Sequence, residues 1–152
     1  MSSERLSATT TLIINIADSD DLDPSFIYRG CVLLDGACIH AEYSATVPSG
    51  TLQGILSIHP ERIQAIDLDS SISSPIRYSF LSGSPSNFRD YFKIDESSGI
   101  VEQIKLIDST VTARQFDVTV KAEEDSENRR FTTAKLVINV KNKGKKILIN
   151  EC

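Results

Sequence analysis

Apolar and polar residues alternate along much of the chain after Val47. Successive side chains of a β-strand point to opposite faces, so each alternating run predicts a strand with one buried face. No segment of the sequence shows a convincing helical period. The pattern therefore predicts an all-β fold, a seven-stranded Greek-key β-sandwich. The residues expected on the buried faces are Ile63, Ala65, Ile76, Tyr78, Phe80, Phe92, Ile94, Phe116, Val118, Val120, Ala122, Leu136, Ile138 and Val140.

One turn between two of these runs has a specific signature. The segment from Asp95 to Ile100 reads D-E-S-S-G-I. Its glycine, Gly99, can adopt the positive φ that tight hairpins need. We expect a β-hairpin turn at this position.

The two ends of the chain carry similar strand patterns. Thr9 to Ala17 reads T-T-T-L-I-I-N-I-A, and Thr132 to Lys141 reads T-T-A-K-L-V-I-N-V-K. An internal match of this kind is typical of a tandem array of repeats. The expected organisation is the last strand of a preceding repeat (1–17), a linker (18–23), a complete repeat (24–140) and a basic tail (141–152).

Composition limits the classes of function. A chain of 152 residues with 40% hydrophobic content can bury the core of one ordinary domain. Its net charge of −5 argues against nucleic-acid binding, which needs a basic surface. The sequence contains no apolar run of about 18 residues and no signal-like N-terminus. An extracellular location would therefore require this chain to be part of a longer protein, with its membrane anchor elsewhere.

The most acidic segment lies between the first expected strand and Pro24. Asp18 to Phe26 reads D-S-D-D-L-D-P-S-F, with four carboxylates within six residues. These groups repel one another unless a cation lies among them, and carboxylates are ligands that Ca²⁺ prefers. The alternative is a solvated acidic turn.

Two cysteines, Cys31 and Cys38, lie close together after this segment. In an oxidising compartment a disulfide between them would stabilise the fold by roughly 2–3 kcal/mol. Two separate buried thiols are the alternative. Zinc binding with His40 is disfavoured, because the spacing matches no common site and a fourth ligand is missing.

Several segments together resemble the strand motifs of a cadherin extracellular repeat. They are Ile66-Asp67-Leu68-Asp69 with Ile76-Arg77-Tyr78, Phe92-Lys93-Ile94-Asp95 with Ser98-Gly99-Ile100, and Phe116 to Ala122 (F-D-V-T-V-K-A). The acidic segment resembles the cadherin linker D-x-N-D-N-x-P-x-F, with Asp20 and Leu22 at the two Asn positions. The resemblance extends from Thr9 to Val140. The paired cysteines, I-Q-A-I-D-x-D and K-A-E-x-D are most similar to a membrane-distal repeat of the tip-link protocadherins or an invertebrate relative.

The resemblance implies a set of calcium ligands at the linker. The site nearest this repeat would use Asp20, the carbonyl of Leu22, Asp67, Asp69, a carbonyl near Ser73, and Asp125, with Glu124 as the competitor of Asp125. Two further sites would use Asp18 and Asp21 together with acidic side chains of the preceding repeat. We therefore expect one nearly complete calcium site and two partial ones in this chain.

The other end of the repeat departs from the cadherin pattern. Pro48-Ser49 and the segment from Leu106 to Thr110 stand where the family usually supplies acidic motifs for the next linker. The lysines of the tail would repel a divalent cation. They are Lys141, Lys143, Lys145 and Lys146. We expect no calcium linker at this end.

The function implied by the resemblance is calcium-dependent cell adhesion. Calcium between repeats would stiffen a rod at the extracellular face of the plasma membrane. Its partners would be neighbouring repeats and other cadherin molecules, in homophilic or heterophilic contact, and neither nucleic acid nor a small-molecule substrate. A calcium-independent immunoglobulin-like binding module is the alternative. A hydrolase or lyase with acidic catalytic residues is disfavoured, because no nucleophile, base and orienting group recur together.

Overall fold

A computed structural model describes residues 22–69 and 74–142 of the chain. These residues form ten strands and one 3₁₀ helix, and no α-helix occurs in this part of the chain. The strands are β1 (Ser25–Phe26), β2 (Leu33–Leu34), β3 (Ala37–Cys38), β4 (Glu42–Pro48), β5 (Ala65–Ile66), β6 (Ile76–Ser84), β7 (Phe92–Ile94), β8 (Val101–Gln103), β9 (Gln115–Glu124) and β10 (Phe131–Lys141). The 3₁₀ helix, Ser86–Asp90, lies between β6 and β7.

The largest layer is a four-stranded sheet in the order β4-β10-β9-β6. Strand β10 pairs in parallel with β4 and antiparallel with β9, which also pairs antiparallel with β6. Leu136 lies opposite both Tyr43 and Val118 in this register, and all three side chains are buried. The alternation predicted for the last two strands is confirmed along their whole length.

The opposite layer consists of shorter pairs, β1 with β5 and β7 with β8, together with a bridge between Ile55 and Glu102. The hydrophobic core joins the two layers. Its aromatic contacts cross between them, with ring centroids 5.1 Å apart for Phe92 and Phe116 and 5.9 Å apart for Phe26 and Tyr43. The predicted all-β sandwich is confirmed. Short ladders in this second layer give ten strands in the described residues, where the sequence predicted seven.

Most residues predicted for the buried faces lie in the core. Ile76, Phe80 and Ile94 are only partly buried and pack against its margin. Ile76 and Phe80 belong to β6, which is an edge strand of the four-stranded sheet. Among the described residues, one side of β6 has no neighbouring strand in this sheet. Edge position therefore explains why Ile76 and Phe80 keep more exposure than residues of β9.

The predicted hairpin turn joins β7 to β8. The backbone N–H of Asp95 donates to the carbonyl oxygen of Ile100 over 2.8 Å, and Gly99 has a φ of +77°. A Cβ atom at Gly99 would lie 3.1 Å from the carbonyl oxygen of Ile63. Glycine is therefore required here by both the backbone conformation and the close approach.

Cys31 and Cys38 form a disulfide bond with their Cα atoms 5.8 Å apart. The bond closes the β2–β3 hairpin, whose turn residues Asp35 and Gly36 both have positive φ. The backbone N–H of Cys38 donates to Oγ of Ser25 over 2.8 Å. The alternative of two separate thiols is wrong, and zinc binding by these cysteines is excluded because both sulfurs are bonded.

Parts of the predicted organisation lie outside the described residues. This holds for the N-terminal segment 1–17, for most of the linker and for nearly all of the tail, so these divisions remain predictions. Within the described residues, no helix has the length and apolarity needed to cross a lipid bilayer.

Candidate metal centre

Three carboxylates converge at one end of the sandwich. Each of Asp67, Asp69 and Glu124 places a carboxylate oxygen within 4.8 Å of the others. Asp69 is 7% exposed and Glu124 is 1% exposed, so two of the three are shielded from solvent. We call these three residues the acidic cluster.

The loop after β5 orients two members of the acidic cluster. Asp67 follows the strand directly and accepts two backbone hydrogen bonds, from the N–H of Asp69 over 2.9 Å and from the N–H of Ser74 over 2.8 Å. Because β1 pairs with β5, the chain entering β1 passes beside this loop. The backbone N–H of Leu22 lies 3.4 Å from Oδ2 of Asp69 as a result.

The third member comes from the end of β9. Phe116, Val118, Val120 and Ala122 face the core, and the period of two continues to Glu124. Asp125 follows the strand, its N–H donates to the carbonyl of Pro75, and its carboxylate pairs with Arg77. The carboxylate beside Asp67 and Asp69 is therefore that of Glu124, the predicted competitor, and not that of Asp125, which the sequence favours. Extending the β9 alternation by one step gives Glu124 directly.

The other predicted ligands are only partly described. Asp18, Asp20, Asp21 and the carbonyl near Ser73 lie outside the described residues. Leu22 is described, and its backbone lies against the acidic cluster. Calcium ligation by any of these residues remains a prediction.

Arginines pair with the carboxylates that flank the acidic cluster. Nη2 of Arg77 lies 2.9 Å from Asp125, Nη1 of Arg130 lies 3.2 Å from Asp23, and Nε of Arg129 lies 2.7 Å from Glu123. Hydrogen bonds to Glu123 from Arg129 and then Lys121 hold its pKa below the usual range. The flanking acids therefore have their negative charge balanced by neighbouring cations.

The donor set of the acidic cluster fits calcium. Ca²⁺ takes six to eight hard oxygen ligands, often carboxylates and backbone carbonyls. Zinc in structural sites is usually held by cysteine and histidine, neither of which belongs to this cluster. Three carboxylates at such short separation repel one another, and a divalent cation among them removes that repulsion.

A comparison with protein-family models matches residues 43–141 to the cadherin domain. The match covers most of the sandwich described above. The chain belongs to the cadherin family.

Similar proteins with curated descriptions agree with this result. The chain is 66% identical over 139 residues to Cadherin-99C of Drosophila melanogaster, a match that covers 91% of this chain and 8% of the relative. It is 34% identical over 147 residues to Protocadherin-15 of Gallus gallus, covering 90% of this chain and 8% of the relative. The predicted resemblance to a tip-link protocadherin or an invertebrate relative is confirmed. The chain spans less than a tenth of the length of these proteins.

Solved structures agree with the fold. Cadherin domains 3–6 of the extracellular region of Protocadherin Gamma B2 match with a TM-score of 0.61 at 21% identity, covering 82% of this chain and 26% of that one. Mouse Cadherin-23 EC22-24 matches with a TM-score of 0.58 at 22% identity, covering 83% of this chain and 33% of that one. At these identities the likeness shows the fold alone.

Proposed function

We propose that this chain is a calcium-dependent cell-adhesion module. The observation that carries the proposal is the convergence of Asp67, Asp69 and Glu124 beside the backbone of Leu22. These residues would hold calcium together with the carbonyl of Leu22 and with linker carboxylates outside the described residues. Those linker carboxylates are Asp18, Asp20 and Asp21.

The proposed role of the cation follows from the elements that carry its ligands. Asp67 and Asp69 belong to the loop after β5, Glu124 ends β9, and Leu22 belongs to the entering chain. A cation bound to all of them would tie the linker to two separate parts of the sandwich. The repeat would then have a fixed orientation relative to the one before it, and an array of repeats would become a stiff rod.

Family membership supports adhesion as the purpose of such a rod. Cadherins are adhesion proteins rather than enzymes, and the repeats in the matched Protocadherin Gamma B2 structure are extracellular. We infer an extracellular location on a membrane-anchored parent protein. Its partners would be neighbouring repeats and other cadherin molecules, in homophilic or heterophilic contact.

The test is the thermal unfolding midpoint of the full chain in millimolar calcium and in excess chelator. At about a hundredfold excess over the dissociation constant, binding to the native state alone adds roughly 2.7 kcal/mol. For a domain of this size that corresponds to a rise on the order of 10 °C. Asp67→Asn/Asp69→Asn should abolish the rise, because it removes two of the three clustered carboxylates.

A matched variant controls for the change in net charge. Asp35→Asn/Asp90→Asn removes two exposed carboxylates that do not belong to the acidic cluster, and it should retain the full calcium response. A wild-type midpoint that is the same in calcium and chelator would contradict the proposal and favour a cadherin repeat whose stability does not depend on calcium. A rise that persists in Asp67→Asn/Asp69→Asn would place the cation elsewhere.

A further inference from the structure

Arg77 places a full positive charge at the same end of the sandwich as the acidic cluster. It lies on β6 opposite Glu123 of β9. Its guanidinium contacts Oδ2 of Asp125 through Nη2 over 2.9 Å and through Nε over 3.2 Å, and it reaches Glu96 through Nη1 over 3.4 Å. Two donors therefore converge on one oxygen of Asp125.

The ion pair lies one residue along the chain from the acidic cluster, because Asp125 directly follows Glu124. Arg77 and Asp125 line a polar cleft, whereas Glu124 is 1% exposed and continues the buried face of β9. A cation bound at the cluster would therefore experience the charges of Arg77 and Asp125 through space, across the end of β9. The net charge near the cation depends on whether Asp125 remains paired with Arg77, because the two charges offset each other.

The backbone holds Asp125 in the paired position. Its N–H donates to the carbonyl of Pro75 over 2.8 Å, which fixes the residue beside the start of β6, where Arg77 is the second residue. The preceding residue, Glu124, instead continues the buried face of β9. Adjacent carboxylates thus point to different partners, one to the cluster and one to the arginine.

We propose that Arg77 and Asp125 act as an electrically neutral pair that sets the calcium affinity of the acidic cluster, with Asp125 balancing Arg77 rather than binding the metal. The inference rests on the proposed calcium site and assigns a role to two residues beside it. Both are positioning residues in this scheme, because they act on the cation through charge and not through contact.

A double-mutant cycle that measures calcium affinity tests the role of the pair. Arg77→Gln leaves the Asp125 charge unbalanced and should tighten calcium binding. Asp125→Asn leaves the Arg77 charge unbalanced and should weaken it by a similar factor. A unit charge about 10 Å from a divalent ion in water changes affinity about fourfold at low ionic strength. Added salt screens this effect, so the shifts should be largest in low-salt buffer and should shrink as salt is added. The double variant restores neutrality and should bind calcium nearly as the wild type does.

The experiment is calorimetric titration of the full chain with calcium alone, for the wild type and the three variants. Lys93→Gln and Glu102→Gln serve as controls, because they break another exposed ion pair, on β7 and β8. Each control should stay within about twofold of the wild type. Unfolding midpoints measured in chelator report whether each variant folds, independently of metal binding.

Direct ligation by Asp125 gives a different result and would overturn the inference. Asp125→Asn would then lose far more than tenfold in affinity, and the double variant would stay as weak. Equal shifts in Arg77→Gln and the Lys93 control would also overturn it, since the effect would then be one of net charge. If the wild type binds no calcium, the proposed function itself fails, and that result is distinct from either of these.

Discussion

The two ends of the sandwich use acidic residues in different ways. At the end where the chain enters β1, Asp67, Asp69 and Glu124 come from separate segments and converge. At the opposite end, Asp108 accepts hydrogen bonds from the backbone N–H and the hydroxyl of Thr110. These bonds hold the pKa of Asp108 below its usual range. The carboxylate of Asp108 is thus engaged in its own turn.

The end that carries Asp108 also differs from the other in its backbone hydrogen bonds. Near Asp108, the N–H of Gly50 donates to the carbonyl of Ile107, and the N–H of Ser49 donates to the carbonyl of Lys141. This end is closed by backbone hydrogen bonds and carries a lysine. The fold therefore brings several carboxylates to one point at the first end, whereas Asp108 at the second end bonds within its own turn.

The largest expected loss of stability comes from a substitution in the hydrophobic core, which packs between the two ends and belongs to neither. Phe116 is fully buried and packs against Tyr91 and Phe92. Phe116→Ala should lower the free energy of unfolding by about 3–5 kcal/mol, because it removes buried contacts and leaves a cavity. Chemical denaturation should show the same loss in calcium and in chelator. A loss confined to calcium would mean that the core and the cluster are not independent.

The next prediction compares one carboxylate from each end. Glu124→Gln should abolish the calcium-dependent gain of roughly 2.7 kcal/mol. In chelator the same variant should be as stable as the wild type or more so, because one of three mutually repelling charges is gone. Asp108→Asn should leave the calcium-dependent gain unchanged. Denaturation of both variants with and without calcium measures the two effects.

Two results with these variants would contradict the prediction. A calcium response retained by Glu124→Gln would show that Glu124 is not a ligand, whatever its position beside Asp67 and Asp69. A response lost in Asp108→Asn would show that the end near Lys141 also binds calcium, against the sequence-based prediction.

The smallest expected effect is a pH dependence that both ends share. Glu123 and Asp108 have folded-state pKa values below their ordinary ones, so their ionised forms favour the folded state. Their stabilisation is complete above the ordinary value of 4.5 for Glu123 and 3.8 for Asp108, and is lost as pH falls through the lower folded pKa.

Glu123→Gln should therefore cost about 0.2–1 kcal/mol at neutral pH, the range of a surface ion pair. Its stability should converge with that of the wild type in acid. Denaturation between pH 7 and pH 2 in chelator measures this. A constant difference across the whole range would mean that Glu123 stabilises the fold by packing and not by its charge.

Much of the fold follows from local pattern. The run from Phe116 to Ala122 alternates strictly, and such a run can form a stable strand only by burying one face, which β9 does. Gly99 in D-E-S-S-G-I specifies its turn because few other residues adopt positive φ. The family motifs predicted Asp67 and Asp69 as members of one acidic site, and both lie in the acidic cluster because they stand in one short segment after a strand.

Tertiary structure decided the contacts between residues that lie far apart in the sequence. The β9 alternation assigns Glu124 to the buried face, but its partners depend on tertiary structure. Glu124 meets Asp67 and Asp69 because β9 ends against their loop, whereas Arg77 on β6 pairs with Asp125. The pairing of Cys31 with Cys38 was likewise open, because either state fits the spacing until the hairpin brings the sulfurs together. Sequence thus determined the alternation of the long strands and which residues carry acid, whereas strand pairing decided which of those acids lie together, because side-chain direction is fixed only when strands pair.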